Sequence, residues 1–172
     1  MIAVRSFTGA SQRTSEALSS TYLIAAGSNR YHHQYGGPRA VVHAAMEECA
    51  ALGTVIARSR IITSAPMGAA MRRFANAACL IESEYDPPAL LLGFKRMESE
   101  FGRRSGQRWG DRVLDLDIIL WSEGAFVSRD LIIPHPEFRK RSFVLRPAAE
   151  IAPAWRDPLG GLAVRHLAAR LK

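Results

Sequence analysis

Val113-Leu114-Asp115-Leu116-Asp117-Ile118-Ile119-Leu120 is the stretch on which the reading of this chain turns. Leu114, Leu116, Ile118 and Leu120 alternate with the two acids, the period-2 pattern of a strand with one buried face. Successive side chains on a strand point to opposite faces. Asp115 and Asp117 are therefore expected to project together, opposite the leucines. Two carboxylates about 6–7 Å apart along a strand repel each other. At an effective dielectric of about 20 the repulsion is roughly 2–3 kcal/mol. Magnesium relieves such a pair, since it takes oxygen ligands and is shared between carboxylates and substrate phosphates. Arg108 and Arg112 flank the acids, and Arg103 and Arg104 lie just upstream. Acids for a metal beside arginines for phosphate suggest phosphoryl or nucleotidyl transfer. Asp-Leu-Asp alone also suits a solvated strand face. The neighbouring Trp109-Gly110 and the four arginines favour the site.

Working outward, Thr21 to Ala26 reads as a strand ending in a turn at Gly27-Ser28-Asn29. Tyr31 to Pro38, with two His, two Tyr and Gly36-Gly37, reads as a loop. Arg39 to Leu52 has helical spacing, with Val42, Ala45, Met46, Cys49 and Leu52 on one side and Gly53 as the stop. Thr54 to Ser64 and Phe74 to Ser83 read as strands. Asp86-Pro87-Pro88 opens a helix through about Phe101, because proline is tolerated in the first turn. Gly102 to Gly110 is a basic loop before the acid-bearing strand, and Ser122-Glu123-Gly124 is a turn after it. Pro134-His135-Pro136 precedes a helical piece from about Glu137 to Ala149, and Leu162 to Leu171 reads as one more short helix. The order is βαββαβ with extra strands and helices. Two helices on one face of a mostly antiparallel sheet is the ferredoxin-like α+β plan.

With 172 residues, the chain is expected to form one domain over 21–172 behind a frayed extension at 1–20. A hydrophobic share of 48% and a charged share of 23% are ordinary for a globular protein. No apolar run approaches the ~20 residues of a membrane span. Cys49 and Cys79 lie far apart in apolar contexts and read as buried thiols of a reducing compartment. The net charge of +7 favours an anionic partner. The basic residues cluster at 103–112 and 139–146, which suits a small polyanion better than a long nucleic-acid track.

The chain resembles the 6-hydroxymethyl-7,8-dihydropterin pyrophosphokinases of folate synthesis from about Tyr22 to its end. The most specific part is Arg108-Trp-Gly-Asp-Arg112-Val-Leu-Asp115-Leu-Asp117. Gly27-Ser28-Asn29, Asn76-Ala77-Ala78, Pro134-His135-Pro136 and Arg141-Ser142-Phe143-Val144-Leu145 support it. The resemblance implies transfer of the terminal diphosphate of ATP to the hydroxymethyl group of the reduced pterin, with release of AMP. It implies two Mg2+ ions on Asp115 and Asp117, with Arg103, Arg112 and Asp117 as catalytic residues. Glu98, Arg112, Ile118, His135 and Arg141 would meet ATP. Ser64, Met67, Phe74, Asn76, Trp109 and Phe143 would form the pterin pocket. It further implies a cytoplasmic monomer that acts on small molecules, without nucleic acid or membrane. The loops 30–38, 68–74 and 102–109 depart from the family pattern, so an altered pterin substrate or a slower reaction is the nearest variant.

Two other classes compete. A nucleotidyltransferase built on a Gly-Ser turn and an Asp-x-Asp strand would need Gly27-Ser28 close before Asp115, and it lies almost ninety residues away. A non-catalytic RNA-binding ferredoxin-like module would stack bases on sheet aromatics, and paired aspartates would repel its phosphates.

Overall fold

A computed structural model describes residues 19–66, 72–102 and 112–171. Most of the extension at 1–20, part of the 68–74 loop and nearly all of the 102–110 loop lie outside them. Among the described residues seven strands and four helices follow one another: β1 (Ser20–Ser28), α1 (Pro38–Glu48), β2 (Thr54–Arg58), β3 (Ile62–Ser64), β4 (Phe74–Ser83), α2 (Pro87–Glu100), β5 (Asp115–Trp121), β6 (Phe126–Val127), β7 (Ile132–Ile133), α3 (Ser142–Ile151) and α4 (Val164–Ala169). The main sheet has the order β2-β4-β1-β5, with β3 also on β4. Every pairing in it is antiparallel. This is the expected ferredoxin-like α+β arrangement, with α3, α4 and the β6–β7 hairpin added to the core.

The central strand β1 serves both faces. Tyr22, Ile24 and Ala26 pack with Val42, Met46, Leu90 and Phe94 of α1 and α2. Leu23 packs with Val144, Leu145, Ala148 and Leu167 of α3 and α4. The helix α2 starts as expected: the Asp86 carboxylate accepts from Ala89 N at 2.9 Å, ahead of Pro87 and Pro88. This satisfies one of the unpaired first-turn amides.

Five expectations need correction. Gly27 and Ser28 belong to β1, and the chain turns only after them. The strand expected over 54–64 is broken at Ser59, whose N–H still donates to Ala78 O at 2.9 Å while its hydroxyl, in place of its carbonyl, accepts from Ala78 N at 2.9 Å. The helix expected over 39–52 ends at Glu48 and finishes in a 3-10 turn, Cys49–Ala51. The piece expected over 137–149 is a 3-10 turn, Phe138–Lys140, followed by α3. Leu120 is not on the face of Leu116 and Ile118. The pairing of β5 with β1 runs Ile118 to Ile24 and then Leu120 to Leu23, so Ile119 is an extra residue, a bulge. Leu120 is thereby turned to the α3 and α4 side.

Candidate active site

Strand register decides which side chains share the site. Gly27 pairs with Asn76 on one side and Asp115 on the other. Ala25 pairs with Ala78 and Asp117 in the same way. With strands about 4.8 Å apart, Asn76 and Asp115 are roughly 10 Å apart across the sheet. Between them lies a floor of Gly27 and Ala25, small residues that stay half-buried, while Ala78 beside them is covered by α3. A Cβ on Gly27 would already come within 3.4 Å of the Asn76 amide oxygen.

The acids stand at the outer edge, as the alternation implied. Leu114, Leu116 and Ile118 anchor the opposite face in the core. Asp115 takes a 2.6 Å bond from the Arg112 guanidinium. Asp117 has no partner so close among the described residues: its Oδ2 is 3.7 Å from Arg141 Nη1 and 3.8 Å from His135 Nε2. Burial first, and Asp115 second, raise its pKa above the ordinary 3.8 despite His135, Arg141 and Lys95. Its side chain keeps 31% exposure. The carboxylate is open to an incoming ion yet surrounded by protein, which is why burial dominates.

The bulge places the histidine. Ile119 presents its carbonyl to His135 N at 3.0 Å, which fastens Pro134-His135-Pro136 beside β5. The His135 Nδ1 accepts from Glu137 N at 3.1 Å. The ring proton of the neutral form is therefore on Nε2, facing Asp117. Burial lowers the His135 pKa, and Asp117 opposes that shift. Arg141, at the start of α3, reaches Asp117 and also lies 5.9 Å from the Phe143 ring centroid.

Across the floor, Asn76 Nδ2 donates to Ser64 Oγ at 2.9 Å. Phe74 pairs with Ser64 two residues before Asn76 and so falls on the same face. Arg112, Asp115, Asp117, His135, Arg141 and Phe143 thus gather on one side, with Ser64, Phe74 and Asn76 across from them. Arg103, Met67 and Trp109 lie outside the described residues.

Two of the residues expected at ATP are buried. The Ile118 side chain lies in the opposite core, and its main chain runs along the outer strand. Glu98 is fully buried. Its Oε1 accepts from Leu116 N at 2.9 Å on that outer edge, and Lys95 Nζ lies 3.1 Å from its Oε2. Lys95 and the small-residue floor went unnoticed in the sequence. An i, i+3 Lys–Glu pair was the only trace of the first, and the second needs the strand register.

A family model, 7,8-dihydro-6-hydroxymethylpterin-pyrophosphokinase, matches residues 23–153. The chain belongs to this family. A 2-amino-4-hydroxy-6-hydroxymethyldihydropteridine pyrophosphokinase of Methylorubrum extorquens is 40% identical over 140 residues, 79% of this chain and 87% of that protein. One of Synechocystis sp. is 39% identical over 94 residues, 55% of this chain and 48% of its own length. In a crystal structure of Plasmodium falciparum HPPK-DHPS the fold recurs with a TM-score of 0.73 at 12% identity. That match covers 91% of this chain and 46% of the other. The chain therefore spans about half of these last two proteins and most of the first. As a member of the pyrophosphokinase family it uses ATP as co-substrate. Among the described residues no helix is long and apolar enough to cross a membrane.

Proposed function

We propose that this pyrophosphokinase moves the terminal diphosphate of ATP to the hydroxymethyl oxygen of 6-hydroxymethyl-7,8-dihydropterin, releasing AMP, as a step of tetrahydrofolate synthesis. The observation that carries the reading is the pair Asp115 and Asp117, set in register with the bare floor of Gly27 and Ala25 and opposite Asn76.

The pair suits two magnesium ions. Asp117 is raised in pKa by burial and by its neighbouring acid, and among the described residues Arg141 and His135 stand 3.7 and 3.8 Å away, beyond hydrogen-bond reach. Among the described residues no three His, Cys, Asp or Glu side chains gather into a closed cage. Magnesium needs none, since one or two carboxylates and substrate phosphates complete its shell. When bound, the ions would neutralise the triphosphate and polarise the phosphorus under attack.

The residues divide the remaining work. Arg112 and Arg141 offer forked donors to phosphate oxygens. His135 presents Nε2–H to the same oxygens. Asn76, with Ser64 behind it, pairs the polar edge of the pterin, and Phe143 and Phe74 cover its flat faces. Glu98 holds the edge of β5 straight through Leu116 N, and it holds Lys95 where its charge bears on Asp117. Arg103, Trp109 and Met67 are assigned their family roles. The same reading holds the protein to be a cytoplasmic monomer that binds no nucleic acid, and sedimentation tests the first point. The decisive experiment is a coupled assay of AMP release. Release should require ATP, magnesium and the reduced hydroxymethylpterin together. Release that ignores the pterin would refute the assignment.

A further inference from the structure

The stretch 29–36, Asn-Arg-Tyr-His-His-Gln-Tyr-Gly, has no part in the site described above, yet it is tightly built. His32 N donates to Gly36 O and Gly36 N donates to His32 O, both at 2.8 Å. Gly36 closes the turn at φ 91°, a conformation that resists a side chain. Inside the turn, His32 Nδ1 accepts from Gln34 N at 3.1 Å and Tyr35 N at 3.3 Å. The turn thereby aims its rings. Tyr35 stacks on Phe101, with centroids 4.8 Å apart and planes at 15°, and His32 lies 5.9 Å from the same ring. Phe101 is buried and closes the last turn of α2 through its N–H to Met97 O.

The beginning of the stretch holds a different part of the chain. Asn29 Oδ1 accepts from Arg112 N at 2.6 Å, and Asn29 N donates to Arg112 O at 3.1 Å. One short hairpin therefore grips the end of α2 and the residue whose guanidinium bonds Asp115. We infer that this hairpin positions Arg112 for diphosphate transfer, with Tyr35 and His32 as positioning residues. The inference rests on the functional reading above. Asn29 fixes the Arg112 main chain, and three residues on, the same stretch begins its seat on Phe101 through His32 and Tyr35. Transfer depends on sub-ångström placement of groups around the phosphorus, so a loosened seat should slow turnover more than it weakens pterin binding.

The test is Tyr35→Leu beside Tyr35→Phe, with kcat, both KM values, the melting temperature and hydrogen exchange at the Arg112 amide. Tyr35→Leu should lower kcat roughly tenfold or more. It should leave the pterin KM within about twofold and speed exchange at Arg112. Tyr35→Phe keeps the ring and should restore all three. His32→Leu, which cannot accept from the turn, should repeat the kcat loss. An undiminished kcat in Tyr35→Leu overturns the inference while wild-type turnover stands. A loss shared by Tyr35→Phe, or one matched by an equal rise in pterin KM and a collapsed melting temperature, also overturns it. Absence of AMP release from the wild type would sink the functional reading and this inference with it.

Discussion

The same strands finish the two faces of the sheet in different ways. Toward α1 and α2 they present Tyr22, Ile24, Ala26, Ala75, Ala77, Cys79, Ile81, Leu116 and Ile118, all buried and all in one cluster. Toward α3 and α4 the apolar part covers only Leu23, Ala25, Ala78, Leu80, Ile119 and Leu120. That face also carries Gly27, Asn76, Asp115 and Asp117. The difference teaches where stability and chemistry are kept. Two neighbouring carboxylates can be held on β5 because the reverse of that strand is locked into a continuous core. Burial that a solvated strand would not need raises the Asp117 pKa, a cost that a bound cation would offset.

Four measurements can break or sharpen this division. Phe94→Ala, on the stabilising face, should lower unfolding free energy by about 3–5 kcal/mol in denaturant titrations. Turnover per folded molecule should persist; its loss without a stability change would erase the distinction between the faces. On the other face, Asp117→Ala should reduce AMP release roughly 10²–10³-fold, with little loss of stability. Near-normal release would remove the metal assignment.

Asn76→Ala should weaken pterin binding by ~1–3 kcal/mol and leave ATP binding alone. Calorimetric titration of each ligand separates the two. Weaker ATP with unchanged pterin would put Asn76 in the wrong half of the site. The smallest effect concerns pH. The Asp117 pKa is raised in the folded protein, so between its unfolded value and the raised value the folded form binds more protons. Stability then falls as pH rises through that window. Without ligands, Asp117→Asn should melt higher than the wild type at neutral pH. The gap should close as pH falls toward 3.8, the ordinary value for the group. A constant gap would mean that the gain is not electrostatic.

Local patterns were readable where one element decided them. Phe74–Ser83 was legible to the residue as an apolar run, and Asp86-Pro87-Pro88 announced α2. The acid pair was legible from alternation alone. What escaped depends on partners distant in the chain. Ser59 breaks a strand because its hydroxyl reaches Ala78 N. Ile118-Ile119-Leu120 is apolar throughout and suits either phase, so no pattern could reveal the bulge. Glu98 sits on a charged helix, and nothing local shows that Leu116 N on the edge of β5 draws it fully inside. The floor of Ala25 and Gly27, between Asn76 and the acids, exists only once three strands are in register.

The bulge at Ile119 also bears on how this site could be transplanted. A strand with a side-chain period of two has a phase, and one extra residue inverts it. Before Ile119 the strand answers to the α1 and α2 core through Leu116 and Ile118. After it, Leu120 answers to α3, while the Ile119 carbonyl anchors the histidine turn. Grafting Asp115 and Asp117 onto a regular strand would thus carry over the acids without the inversion. The graft would have acids but neither a seat for His135 nor a closed second core.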